Sequence, residues 1–566
     1  MGTSPSGTTI EPGHSKPSGR HWKHRLVLGL LLLLLVPVWF SSIDYRKLAN
    51  PDEGRYAEIP REMVETGDWL TPRLNNIKYF EKPPLQYWIT AACYKVFGFD
   101  EWTARLWVAL AGLLGVILTW FTGRRVFGQE AGAGAALVLL SSVYYIIFSN
   151  VLTLDMGFSF FLTLSLTGYL LAQQTSTDKP ASTTWAMVSW VGIGLAVLSK
   201  GFAGVVLPAL ALLTYTLMQR DLSGWRNLRL LVGLPLAAVI VAPWFISVSA
   251  ANPEFFHFFF VHEHLQRFVS TEHHRTGAWW YFLPVVVVAM LPWLAVLGEG
   301  WRRAWRNQSL PGAFNTPRFL IAWAVSQFVF FSLSGSKLPA YILPIMPALA
   351  LITGWRLVEL DGPQIARRVA PLAVFAGIAC LAGAEVMEFT QRHHVGFDYY
   401  ENYSDWLETA SVLMIVAGLV VRWKRHAKRA MVIGFSVACF IAAQLIVAGF
   451  EQLSPLHSAY SLAQTIKPYL KDDTPVFMVQ TYSQGLPPYI QRPVVLVDYQ
   501  DELYFGLLQE PDRWIPTVDE FATVWRNLPQ GVAVMPVKTF QKLEETGLPM
   551  RVIESREDLR VVTRGL

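Results

Sequence analysis

A chain that carries run after run of uncharged, helix-length apolar sequence cannot bury them all in one water-soluble core. Between residues 26 and 449 about thirteen such segments recur, opening with 26–41 and 102–122 and closing with 405–421 and 429–449. Most approach the length needed to cross the hydrocarbon of a bilayer. Composition agrees: of 566 residues 52% are hydrophobic and only 16% charged, where soluble domains run near a quarter charged. The mean hydropathy is +0.33. The expected fold class is therefore a polytopic α-helical membrane protein of about thirteen transmembrane helices. The three cysteines, Cys93, Cys380 and Cys439, all lie in or near apolar segments. They form no CxxC motif and no disulfide scaffold.

A formal charge of +5 does not point to nucleic acid, because the basic residues cluster between apolar runs, where membrane orientation explains them. Residues 1–25 are expected to form a cytoplasmic tail, with 1–19 too rich in Gly, Ser, Pro and Thr to fold. HWKHR before the first apolar run looks like the start of a signal peptide. No small-x-small cleavage site follows, so an uncleaved first helix is expected. With that end inside, the inner loops contain GRR (Gly123–Arg125), WRRAWR (Trp301–Arg306), Arg367 with Arg368, and RWKRHAKR (Arg422–Arg429). That is the positive-inside pattern. An odd number of spans then puts the C-terminus outside.

The predicted outer face is chemically richer. It receives the long loop 42–101, Asp155, Lys200, FHFFFVHEHLQRF (Phe256–Phe268) and SGSKLPAYILP (Ser334–Pro344). Ionisable groups at a membrane edge are functional candidates by default. Three regions follow: the tail 1–25, a transmembrane domain 26–450 whose loop 42–101 has amphipathic helical stretches, and a soluble domain 451–566. The last has short β-branched runs, TPVFMVQTY, PVVLVDY, GVAVMPV and LRVVTRG, with helical patterns near 518–528 and 537–545. It is expected to be a small outer α/β domain without a nucleotide motif.

Each candidate residue has a plain structural alternative. Asp52 and Glu53, after Pro51, suit either the first turn of a helix or a polar site at the membrane edge. Asp155, at the outer end of an apolar helix, suits a salt bridge to Arg55 or Lys200 as well as a catalytic role. Lys82, Lys200, Arg267 and Lys337 are outer cations, which either snorkel or bind a lipid phosphate. Tyr79 and Tyr341 are neighbouring hydrogen-bond donors. Glu81, His262 and His264 are candidate ligands for a divalent metal, although two histidines two apart cannot share one helical face.

The sequences NPDEGRYAEIPREM (Asn50–Met63), GDWLTPRLN (Gly67–Asn75), KYFEKPPLQYW (Lys78–Trp88), LTLDMGF (Leu152–Phe158) and GSKLPAYILP together resemble a known family. It is that of the bacterial 4-amino-4-deoxy-L-arabinose lipid A transferases, within the membrane glycosyltransferases related to protein O-mannosyltransferases. The resemblance implies the multi-helix architecture of those enzymes and an active site on the periplasmic face of the inner membrane. It implies an undecaprenyl-phosphate-linked sugar donor, a lipid A phosphate acceptor and an inverting transfer. By the same likeness Asp52 and Asp155 are the catalytic carboxylates. Arg55, Tyr79, Lys82, Lys200, Arg267 and Tyr341 line the donor site, with Glu53, Tyr56 and Lys337 completing the expected substrate-binding set. Glu81 and His262 would be the metal pair, with zinc as the ion, and no nucleotide cofactor is expected. No catalytic role is carried into the C-terminal domain, and a monomer would suffice. The alternatives are transfer of another polyprenyl-linked sugar to a hydroxyl, and a non-enzymatic lipid transporter or flippase.

Overall fold

A computed structural model describes residues 34–565 apart from 175–181, 267–276, 309–312 and 395, and it leaves the side chains of 262–266 undescribed. The expected tail 1–25 therefore lies outside the described residues. So does most of the first apolar run, of which the short helix Leu34–Tyr45 is described. From Ser42 onward the chain forms one compact unit.

Among the described residues, the predicted segments fall mainly on helices. Among the described residues eight helices are long and apolar enough to cross a membrane, and a ninth span follows if the pair Phe282–Met290 and Leu294–Arg306, bent by 108°, is one. The remaining apolar runs are shorter or interrupted. Gln129–Leu140 and Ala203–Gln219 are short apolar helices, and Ser141 and Ser142 divide the first from Val143–Phe148. The helix Thr183–Lys200 ends at Gly201, whose φ of 67° no continuing helix adopts. Small residues let neighbouring helices touch. A Cβ on Gly168 would meet the Ser189 nitrogen at 2.6 Å, and one on Gly192 the Ser165 nitrogen at the same distance.

Several of the basic loops expected on the inner side meet one another. Glu299 pairs with Arg356 at 2.9 Å and with Arg368 at 2.6 Å. Arg303 pairs with Glu359 and Arg429 with Glu130, each at 2.5 Å.

The first loop folds into two helices, Asp52–Thr66 and Leu85–Phe97, with a short hairpin of β1 (Arg73–Leu74) and β2 (Ile77–Lys78) between them. The helix Asp52–Thr66 is buried continuously from Glu53 to Met63. Its charges are consequently paired rather than solvated. The C-terminal domain is a six-stranded mixed sheet built from β3 (Val476–Val479), β4 (Val495–Val497), β5 (Trp514–Ile515), β6 (Gly531–Pro536), β7 (Arg551–Ser555) and β8 (Leu559–Arg564). Their order is β5-β4-β3-β6-β8-β7. The strands β3, β4, β5 and β6 pair in parallel, and β8 joins β6 and β7 antiparallel. Phe477, Phe521, Trp525 and Phe540 fill the core under the helices Val518–Asn527 and Val537–Glu545. The four predicted strands are present; β5 and β7 were not anticipated.

This domain is bolted to the first loop. Asn75, in the left-handed conformation at φ 58°, donates to the Val494 carbonyl at 2.8 Å and accepts from the Val494 N–H at 2.7 Å. Arg73 reaches Glu510 at 2.9 Å, and the Gly485 N–H donates to Asn50 Oδ1 at 2.8 Å. Gly54 is required by this contact: a Cβ there would lie 2.5 Å from the Gly485 nitrogen.

Candidate active site

Asp52 opens the first-loop helix rather than lying in a loop, and its side chain is 48% exposed. One helical turn on, the guanidinium of Arg55 is buried and fully engaged. Its Nε donates to Gln484 Oε1 at 2.9 Å, its Nη1 to the Tyr79 hydroxyl at 3.3 Å, and its Nη2 to Glu502 at 2.7 Å, with Asp52 Oδ1 at 3.5 Å. Burial opposes its charge, but its surroundings, with the carboxylates of Glu502 and Glu81, outweigh that and raise its pKa. Burial also pushes the Tyr79 phenol well up, reinforced by Glu81. Tyr79 therefore keeps its proton. With its oxygen accepting from Arg55, that O–H can donate to a ligand oxygen.

Glu502 and Gln484 come from the C-terminal domain, which was expected to contribute nothing. Burial, with the carboxylates of Glu81, Asp501 and Asp52, pushes the Glu502 carboxyl up to about 7 against the pull of Arg55. Its Oε1 is buried without a hydrogen-bond partner. Nothing in its sequence setting singles it out, because DEL (Asp501–Leu503) reads as an ordinary acidic turn. Only the fold carries it to Arg55.

The second carboxylate, Asp155, is the first residue of the helix Asp155–Ala172. The Lys200 amine, the last residue of its helix, bonds to it at 2.5 Å. That pair stays partly open, with side-chain exposures of 17% for Lys200 and 13% for Asp155. Lys200 also stands 5.1 Å from the ring centre of Tyr341. Tyr341 sits in the turn Pro339–Ile345, which Tyr144 pins by donating to the Pro339 carbonyl at 2.7 Å. Tyr56 joins the two halves. It packs against Tyr87 with ring centres 6.2 Å apart, and its phenol feels the charges of Asp52, Glu81 and Asp155 together.

One expected substrate residue, Glu53, is already saturated by protein partners. Glu53 is 1% exposed and sealed. Its oxygens accept from Arg105 Nε at 2.8 Å and Nη2 at 2.7 Å, from the Leu152 N–H at 2.8 Å and from the Ala49 N–H at 2.9 Å. Arg105 in turn donates to the carbonyls of Ile43, Arg46 and Lys47. Burial alone would raise the Glu53 carboxyl, yet the Arg105 guanidinium holds it at about 2. Glu53 thus ties the loop to the bundle and has no free oxygen for substrate. The signal was available: Arg105 is a lone cation in the first turns of an apolar helix, at the same end as the acidic pair. Lys337 is 7% exposed, and its amine donates to the Ser334 carbonyl at 2.6 Å, which leaves the rest of its donors for a ligand.

Glu81 lies beside Lys82, whose amine is 3.7 Å from the Glu81 carboxylate and donates to its carbonyl at 2.9 Å. Arg267 and the side chains of His262 and His264 lie outside the described residues. Among the described residues no three His, Cys, Asp or Glu side chains converge as a metal site would require. The buried, unpartnered Glu502 oxygen in electrostatic reach of Glu81 is the kind of donor a cation would accept.

Residues 24–259 match the family model described as dolichyl-phosphate-mannose-protein mannosyltransferase, and residues 462–564 match the aminoarabinose transferase C-terminal domain. An undecaprenyl phosphate-alpha-4-amino-4-deoxy-L-arabinose arabinosyl transferase of Pseudomonas fluorescens is 33% identical over 374 residues. That alignment covers 65% of this chain and 66% of the relative, and with a second protein of that species only 60% of the relative is spanned. The Pseudomonas aeruginosa protein of the same description is 31% identical over 531 residues, 90% of this chain and 93% of its own. Among solved structures, ArnT from Cupriavidus metallidurans bound to undecaprenyl phosphate superposes with a TM-score of 0.90 at 36% identity, covering 96% of this chain and 98% of that one. An Archaeoglobus fulgidus oligosaccharyltransferase, 13% identical with a TM-score of 0.54, shares the fold. A polytopic helical membrane chain whose paired carboxylates and cations meet at one end, and which matches these proteins through both of its domains, belongs to the family of undecaprenyl phosphate-aminoarabinose arabinosyl transferases.

Proposed function

We propose that this protein moves 4-amino-4-deoxy-L-arabinose from undecaprenyl phosphate to a lipid A phosphate at the periplasmic face of a bacterial inner membrane, with its N-terminus cytoplasmic. The observation that carries the reading is the cluster around Tyr56: Asp52, half exposed, and the Asp155–Lys200 pair, open to a ligand. The meeting of basic loops expected on the inner side supports the orientation.

The acceptor phosphate already bears an ionised oxygen, so no general base is needed to make the nucleophile. That oxygen attacks the anomeric carbon as the bond from this carbon to the undecaprenyl phosphate oxygen breaks. The electron pair leaves on that phosphate, and configuration at the carbon inverts. Lys82 and Lys200, with Arg267, are the cations suited to the departing phosphate, and the Tyr79 and Tyr341 hydroxyls orient its oxygens. Asp52 and Asp155 face positive charge developing at the sugar carbon, and one of them or Glu502 would bind the sugar amine. Arg55 positions Asp52, Tyr79 and Glu502. A divalent ion, zinc by family likeness, would be held by Glu81 with His262 and not His264, since positions two apart on the helical segment His257–Gln266 do not share a face, and would supply positive charge for phosphate oxygens.

Purified protein in liposomes, given radiolabelled undecaprenyl-phosphate sugar and lipid A, tests this. Lipid A gaining one aminoarabinose mass is the expected product. Movement of labelled lipid between leaflets without a new covalent product would replace the reading with a transporter.

A further inference from the structure

The helices Gly362–Gln391 and Phe397–Trp423 pack along their length, yet only 33% and 39% of their apolar windows are buried. Between them runs a groove of about 630 Å³ whose wall includes Phe375, Ile378 and Leu419, each more than half exposed. Arg367 and Arg422, both from loops expected on the inner side, line the same groove. Both are exposed, and among the described residues no hydrogen bond or ion pair engages either.

Their neighbours behave differently. Arg368 is held by Glu299 at 2.6 Å and by the Gln364 carbonyl at 2.7 Å. In a second, smaller groove the basic residues are already occupied, Arg429 by Glu130 at 2.5 Å and Lys428 by the Val358 carbonyl at 3.0 Å. Asp361, the nearest acid in sequence to Arg367, spends its carboxylate capping its own helix through the Gln364 N–H at 2.7 Å. The open groove therefore presents two uncommitted guanidinium groups above an apolar trough. Guanidinium forks match phosphate oxygens, and basic pockets between transmembrane helices suit anionic lipid headgroups.

We propose that this groove binds one anionic phospholipid, its phosphate between Arg367 and Arg422 and an acyl chain along Phe375, Ile378 and Leu419. The site is separate from the transfer site, and its test does not depend on transfer. The competing explanation is that the two arginines merely reach the interface, in which case they show no preference for headgroup.

The full-length protein in detergent is titrated with phosphatidylglycerol and, separately, with phosphatidylcholine, and bound lipid is counted by native mass spectrometry. Phosphatidylglycerol is expected to add one tight equivalent that phosphatidylcholine does not. Arg367→Gln with Arg422→Gln should weaken it at least about tenfold, while Arg429→Gln leaves it unchanged. Phe375→Ala changes no charge and should weaken it through the chain alone. Equal binding of the two lipids, full retention by both variants, or displacement by inorganic phosphate would overturn the proposal.

Discussion

Glu53 with Arg105 and Asp155 with Lys200 are both acid–base pairs in which at least one partner sits at the end of an apolar helix, and in the sequence they look equivalent. In the fold they are opposites. The first is sealed, with side chains 0% and 1% exposed, and both partners are saturated by hydrogen bonds. The second has one short contact, stays partly exposed, and borders the aromatic ring of Tyr341. Saturation fixes a loop in place, whereas an unsaturated pair can exchange its partner for a ligand. Charge at a membrane edge does not by itself separate structure from chemistry; the count of satisfied oxygens and nitrogens does.

The largest effect expected from that contrast is on folding. Arg105→Met leaves the buried Glu53 carboxylate unpaired and should cost about 3–5 kcal/mol, read as a collapse of the melting temperature in detergent. Acid should then act through the same pair. Glu53 titrates at about 2 in the folded chain against an ordinary 4.5. A depressed acid contributes its stability above pH 4.5 and loses it as pH falls towards 2, here about 3 kcal/mol. Melting curves taken from pH 7 to pH 3 should therefore fall more steeply for wild type than for Glu53→Gln, which is less stable at pH 7 and flatter below 4.5. Parallel curves would mean that Glu53 is not the group being protonated.

A smaller effect asks whether a third acid belongs with the open pair. Glu502→Gln removes the charged partner of Arg55 without changing its size. Transfer should fall about fivefold, roughly 1 kcal/mol, mostly in KM, with melting little altered. An unchanged KM would return Glu502 to a purely structural part.

Much of this architecture was legible in the sequence because apolar run length reports directly on membrane helices. The sheet was legible where β-branched runs were four residues or longer, and not at Trp514–Ile515, where two residues carry no period. Asp52, Arg55, Tyr79, Lys82, Asp155, Lys200 and Tyr341 could be picked out by residue type and motif. Glu502 and Gln484 could not, since their importance exists only once the C-terminal domain docks through Asn75 and Gly54. Glu53 stands apart from its neighbour for the converse reason. Its adjacency to Asp52 suggested a shared task, while the helix turns the two side chains to different surroundings, one half exposed and one sealed.

The most direct measurement is sugar transfer to lipid A by Asp52→Asn and Asp155→Asn, each matched by melting temperature to wild type. Asparagine keeps size and removes charge. Losing the partly exposed Asp155–Lys200 pair should cost at most about 1 kcal/mol of stability, so both variants are expected to insert and fold. Both are predicted to transfer at least about tenfold more slowly, some 1.4 kcal/mol of transition-state stabilisation. Transfer at the wild-type rate by both folded variants would contradict a carboxylate site at this membrane edge.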